Sequence, residues 1–323
     1  MAAMIAAHTR QSEGRLRFAV VVAAGWAVLA LAAFLYARMK CIPAWTAIPA
    51  AAAFLVEFPF YLLPAFHPAR LGNPWLLSAS CLLPYLVYSV PTGEFRVTGF
   101  LLLLGAALAI SFWYVLLPKS PATDLLFVAL LAAIYLARLF DRIYLSTIPQ
   151  LSVLGHAMII RTGAIAILAI RGGVDIEFRF LPRRPEWIVG LRWFALLLPT
   201  VGVALWALGL WQLRPHPNLP LAIVVFAGML WGVALSEEFF FRGLLQQWIG
   251  DWTGSAVAGL ILASIVFGSA HLGVHAFPNW RYATVAGILG LFCGLAFRES
   301  RTIQAGMVTH AIAATLYRIF FQQ

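Results

Sequence analysis

Eight ionisable side chains lie within apolar stretches of this 323-residue chain: Glu57, His156, Arg161, Glu237, Glu238, Arg242, His271 and His310. Charge at membrane depth is expensive, so each is first read as functional. The sharpest group is Ser236-Glu237-Glu238-Phe239-Phe240-Phe241-Arg242-Gly243. Glu238 and Arg242 stand at i,i+4 with the acid first, the favoured order for a helical ion pair. That pairing keeps Glu238 ionised and structural. Glu237 is turned about 100° around the helix and has no intrahelical partner. A carboxylate facing an interior cavity becomes a general base when a cation or imidazole stands opposite it. The blander alternative makes both acids helix glue through Arg242.

His271 ends the next apolar stretch, after Gly268, Ser269 and Ala270, and His310 sits within the last, with Gly306 and Ala314 four residues to either side. Small residues let a neighbouring helix approach closely. A single membrane histidine is more often a packing residue, but two beside an unpaired acid favour chemistry. Glu237, His271 and His310 could position a water, or hold a divalent metal such as zinc that lowers its pKa. Either suits hydrolysis of a carbonyl substrate. His275 is i+4 from His271, a ligand spacing on a continuous helix, but Gly273 and Pro278 make it loop surface. Glu57, among Pro49, Pro59 and Pro64, either lines a channel or pairs with Arg161.

Helices in lipid must carry these residues. The chain is 63% apolar with 22 Lys+Arg and 12 Asp+Glu, and its mean hydropathy is +0.90. Soluble domains are nearer half apolar and a quarter charged, so a soluble, disordered or disulfide-built protein is excluded. The net charge of +10 is no nucleic-acid footprint, because no dense basic run occurs and only Lys40 and Lys119 are lysines. Cys41, Cys81 and Cys293 share no short spacing, which reads as small buried hydrophobes. About 20 apolar residues cross roughly 30 Å of hydrocarbon. On that basis spans are expected near 18–37, 44–66, 75–91, 97–117, 125–140, 151–170, 188–211, 219–248, 255–271, 282–297 and 302–320. Polar residues or prolines make 44–66 and 151–170 candidates for re-entrant or interfacial segments. The expectation is an all-α, polytopic transmembrane bundle of eight to eleven spans, since no barrel-like alternation runs through the chain.

The first span follows Arg10, Arg15 and Arg17 and lacks a small-residue cleavage site, so it reads as a retained anchor. Residues 174–180 alternate apolar and charged and form a surface loop or short hairpin. The chain then divides into an N-terminal membrane region of unassigned role (1–172), a charged loop (173–187) and a C-terminal domain (188–320). A weak excess of Lys and Arg places the N-terminus and this loop in the cytoplasm.

The C-terminal motifs resemble the CAAX-processing and bacteriocin-processing (CPBP) intramembrane proteases, a family that includes the Ras-converting prenyl-protein endopeptidase. Its pattern is Glu-Glu-x-x-x-Arg, then Phe-x-x-x-His, then a last His followed four residues later by Asn or Asp. Here these are Glu237-Glu238…Arg242, Phe267…His271, and His310 followed by Ala314, with the small-residue stretch Gly287–Gly294 between the second and third. The resemblance covers roughly 188–320. It implies Glu237 as the acid that activates water, His271 sharing that water, His310 beside the oxyanion, and Glu238 with Arg242 as the supporting pair. Members are described both as metalloproteases and as glutamate proteases, so a metal on Glu237, His271 and His310 stays open. Ala314 departs from the pattern and removes an oxyanion donor, whose loss typically costs on the order of 10²–10³ in rate. Tyr317, at i+7 from His310, could supply a hydroxyl in its place.

The expected function is an intramembrane endopeptidase acting on a membrane-associated protein or peptide, with the lipid bilayer as partner and no nucleic acid. The expected location is the bacterial inner membrane. The alternatives are a non-catalytic scaffold or immunity-type protein, which Ala314 favours, and a proton-coupled transporter, for which no inverted repeat is found.

Overall fold

The structure, a computed structural model, describes residues 2–66, 71–146, 148, 151–173, 176–212, 219–274 and 276–321, with backbone alone at 2–13 and 219–221. Every regular element among them is helical, as hydrocarbon demands of backbone that must satisfy itself. Eight helices are long and apolar enough to span a membrane: Gly14–Met39, Ala44–Phe66, Pro74–Thr92, Val97–Leu116, Val153–Arg171, Arg184–Ala207, Ala222–Thr253 and Trp280–Ser300. Both doubtful segments are among them. Pro121–Leu136 and Ala256–Ala270 are shorter apolar helices. The chain is a multi-pass integral membrane protein.

It forms two compact units, Met1–Val174 and Asp175–Gln323. The first contains α1 (Ala2–Met39), α2 (Ala44–Phe66), α3 (Pro74–Thr92), α4 (Val97–Leu116), α5 (Pro121–Leu136), α6 (Leu139–Ile143) and α7 (Val153–Ile165), which continues as a π-helical turn over Ala166–Arg171. Local chemistry sets several ends. The Asn73 side chain accepts from the Trp75 and Leu76 amides with Pro74 following, and Gly93 closes α3 at φ 72°, a conformation glycine adopts without strain. Ser120 before Pro121 caps α5 in the same way. Inside this unit Arg161 and Glu57, 0% and 2% exposed, pair at 2.5 Å. Arg161 also donates to the Ser80 hydroxyl and carbonyl at 2.9 and 3.0 Å. Glu57 is therefore a helix tie. His156 packs edge-on between Tyr135 and Phe140.

The described part of the second unit begins with residues 176–179, irregular in conformation, so the alternating segment is a loop with no strand among its described residues. It is well anchored. Phe178 is buried against Phe239 at 5.0 Å, and the Gln304 amide donates to the carbonyls of Glu177 and Arg179, both at 3.1 Å. Helices α8 (Arg184–Ala207), α9 (219–253), α10 (Ala256–Ala270), α11 (Trp280–Ser300) and α12 (Ile303–Phe320) follow. Small residues set their spacing. A Cβ on Gly268 of α10 would lie 2.6 Å from the Ala283 carbonyl of α11, and Thr309 of α12 donates to the Gly190 carbonyl of α8 at 2.9 Å. Helix α9 is not uniform: π-helical Gly228–Ala234 and Phe239–Gln246 flank the α-helical turn Leu235–Glu238. Such widened turns are rare and gather at functional sites. An apolar pattern read as one long helix does not reveal them.

Candidate active site

The narrow turn between the π segments carries Glu237 and Glu238. Although Arg242 lies in the following π segment, its Nη1 stands 3.1 Å from Glu238 Oε1, and both side chains are essentially fully buried, as the spacing predicted. Its Nη2 donates to the Gly290 carbonyl at 3.0 Å, and its guanidinium lies over the Phe267 ring, 4.4 Å from the centroid. A desolvated cation–π contact of this kind contributes about 2 kcal/mol. Space for the carboxylate comes from Gly306, where a Cβ would sit 2.6 Å from Glu238 Oε2. That glycine is needed for what approaches it.

Helix α12 brings in His310, 4% exposed, with Nδ1 2.9 Å from Glu238 Oε1. An ionised carboxylate only accepts, so Nδ1 carries a proton, and in the neutral imidazole that tautomer leaves Nε2 as an acceptor. That nitrogen faces Glu237 Oε2 at 3.8 Å. Glu237 differs sharply from its neighbour. Its side chain is 30% exposed against 0% for Glu238, yet its Oε2 is buried with no hydrogen-bond partner. With the imidazole neutral, two acceptors face one another, and something that donates, or a cation, satisfies both.

His271 terminates α10, and its Nδ1 lies 2.8 Å from the Phe267 carbonyl. A carbonyl cannot donate, so Nδ1 again carries the hydrogen and Nε2 points away. No carboxylate pairs with His271 within 4.0 Å among the described residues. Its ring packs on Phe267 at 4.8 Å, and the same ring meets His310 at 5.6 Å. The structure therefore joins Glu237, Glu238, Arg242 and His310 directly, and His271 through Phe267. Tyr317 is further along. Its ring contacts Tyr282 at 5.6 Å, and Tyr282 lies 6.0 Å from His271. His275 lies outside the described residues.

Sequence reasoning missed several contributors. Phe267 is the wall shared by Arg242, His271 and His310; its place one turn before His271 could have signalled the stack. The Phe239–Phe241 run is packing surface: Phe239 meets Phe178, and Phe241 meets Phe267 at 4.9 Å. Nothing in the sequence marks the Gly290 carbonyl as a guanidinium acceptor. Cys81 and Cys293 are buried as expected, whereas Cys41 is exposed. Cys293 is more than a small hydrophobe, because donor atoms of Glu238, Cys293 and His310 all lie within 4.8 Å of one another.

An interior cluster of acid, imidazole and guanidinium within a multi-pass helical unit defines a membrane-embedded site for polar chemistry. Residues 217–316 match the family described as type II CAAX prenyl endopeptidase, Rce1-like, which bears out the resemblance for that stretch and, at family level, its reading as a CAAX-type intramembrane protease. The matched residues include all three motifs and Ala314, and stop one short of Tyr317. No curated protein matches the chain, and no solved structure does.

Proposed function

We propose that the C-terminal unit is an intramembrane endopeptidase, hydrolysing a peptide bond of a membrane-associated protein or peptide with Glu237 as general base. The observation that carries this reading is the partnerless Glu237 Oε2 facing His310 Nε2 at 3.8 Å. A water between them donates one O–H to each acceptor, which turns an oxygen lone pair toward an incoming carbonyl carbon. As the C–O bond forms, Glu237 takes the water proton and later passes it to the leaving amine nitrogen. General acid–base catalysis of this kind contributes typically 10²–10⁴-fold. Glu238 holds the His310 ring and its tautomer, and Arg242 keeps Glu238 ionised. This reading assigns the oxyanion to His271 and the Tyr317 hydroxyl; Ala314 offers no donor. Relative to the family resemblance, this reading exchanges the roles of the two histidines.

The other version of this reading is a divalent metal such as zinc. Glu237 and His310 would give it a carboxylate and an imidazole, whereas the described donors that gather within 4.8 Å of one another are Glu238, Cys293 and His310, without His271. Such an ion, when bound, supplies a water of lowered pKa. Elemental analysis combined with chelator sensitivity distinguishes the two versions, read across pH because ligand protonation opposes binding.

Ala314 favours a second reading, a scaffold that keeps the helix-joining pairs without turnover. The decisive assay offers purified protein in detergent prenylated CAAX peptides and membrane-anchored precursors, with Glu237→Gln alongside. Cleavage lost in the variant is the expected result; cleavage by neither protein leaves the scaffold, and equal cleavage by both removes Glu237 as base.

A further inference from the structure

Beyond the Glu237 side of His310 lies a second, deeper group of donors on the opposite edge of the same ring. Glu238 and Cys293 are 0% exposed and His310 4%, and one donor atom from each falls within a 4.8 Å cluster. Glu238 Oε2 is buried there without a hydrogen-bond partner, in the space that Gly306 leaves beside the Cys293 carbonyl. His310 offers Nδ1, which already faces Glu238.

Charge also points to a cation. With His310 neutral, Glu237 and Glu238 against Arg242 leave one net negative charge among largely buried groups, an arrangement a low-dielectric interior penalises. A divalent cation bound with loss of the thiol proton brings the cluster to neutrality. The ligand types narrow the choice. A thiolate and an imidazole with one carboxylate select a soft or borderline ion of the zinc kind over magnesium or calcium.

We propose that Cys293, Glu238 and His310 Nδ1 form a site for a thiophilic divalent cation, and that filling it switches the enzyme off. The chemistry of His310 couples the two halves. Metal on Nδ1 needs the lone pair there, so the Nδ1 proton is displaced and Nε2 becomes the protonated nitrogen. The new Nε2–H points at Glu237 and removes the acceptor that holds the catalytic water. Cys293 releases its proton to solvent on binding the ion. Only the inhibition rests on the peptidase reading; the binding does not.

The probe is Cd²⁺ titrated into purified, metal-free protein, read by ultraviolet thiolate-to-cadmium charge-transfer absorption. One equivalent is expected in the wild type, in a Cys41→Ser/Cys81→Ser double variant that retains Cys293, and in Glu237→Gln, which leaves this donor set intact. Cys293→Ala is expected to lose the band. No saturable band in the wild type overturns the site, as does a band lost in the double variant or kept in Cys293→Ala. For the switch, Zn²⁺ at tenfold its dissociation constant should lower cleavage about tenfold by mass action, with Cys293→Ala relieved of that inhibition. Binding with undiminished cleavage overturns the switch and leaves the site. A protein that binds Cd²⁺ as described but cleaves nothing before the ion is added refutes the peptidase reading alone.

Discussion

Each unit contains a buried glutamate–arginine pair, and the two are finished differently. In the N-terminal unit Arg161 is held by both carboxylate oxygens of Glu57 and by the hydroxyl and carbonyl of Ser80. Both side chains are satisfied. In the C-terminal unit Arg242 and Glu238 are equally buried, but Glu238 Oε2, Arg242 Nη1 and the adjacent Glu237 Oε2 have no hydrogen-bond partner. An unmade hydrogen bond on a buried polar group costs about 1–3 kcal/mol. A completed pair joins helices, and an incomplete one leaves valence for chemistry. That contrast makes Glu57 structural and is what the proposed role of Glu237 rests on, although both are lone-looking acids in apolar sequence.

The largest expected effect lies on the incomplete side. Glu237→Gln should lower kcat/KM by about 10³-fold, within the usual range for losing a general base, while leaving the thermal midpoint in detergent unchanged; activity within tenfold of wild type would undo the contrast. On the complete side, Arg161→Leu should destabilise by about 3–5 kcal/mol, because it strands a buried carboxylate. The double variant Glu57→Leu/Arg161→Leu should recover most of that loss. Thermal unfolding checks both, and a double variant as unstable as the single one would show that the pair does more than join helices. Gly306→Ala is milder. Its methyl would stand 2.6 Å from Glu238 Oε2, so Glu238 and the imidazole it holds must shift, and kcat should fall about tenfold to a hundredfold, in keeping with the cost of misplacing catalytic groups by about 1 Å. Steady-state kinetics with KM near wild type supports this; unchanged kcat would mean that the position of Glu238 is immaterial. Tyr317→Phe should have the smallest effect, a reduction of severalfold, below the loss of a fully engaged oxyanion donor. Full activity would drop the hydroxyl from the site.

Much of this was legible in the residues. Periodicity and composition gave helices in lipid, and the i,i+4 order gave the Glu238–Arg242 contact, since both depend on neighbours within one helix. The Glu57–Arg161 tie stayed an even choice because the partners are 104 positions apart, and nothing local says which face of α2 meets α7. The histidines show the same limit. Their place in spans was readable, but that His310 stands between two carboxylates while His271 is turned onto Phe267 depends on how α9, α10 and α12 pack.

The amino-acid order alone determined that this chain is a set of membrane helices with an acid, a guanidinium and two imidazoles in its last third, because hydropathy and helical spacing act over a few residues. Tertiary structure decided which acid keeps an open valence, which imidazole nitrogen faces which acid and where Cys293 lies. Those outcomes depend on contacts between helices, set by the close approach that Gly268, Gly290 and Gly306 permit, and no local rule encodes them.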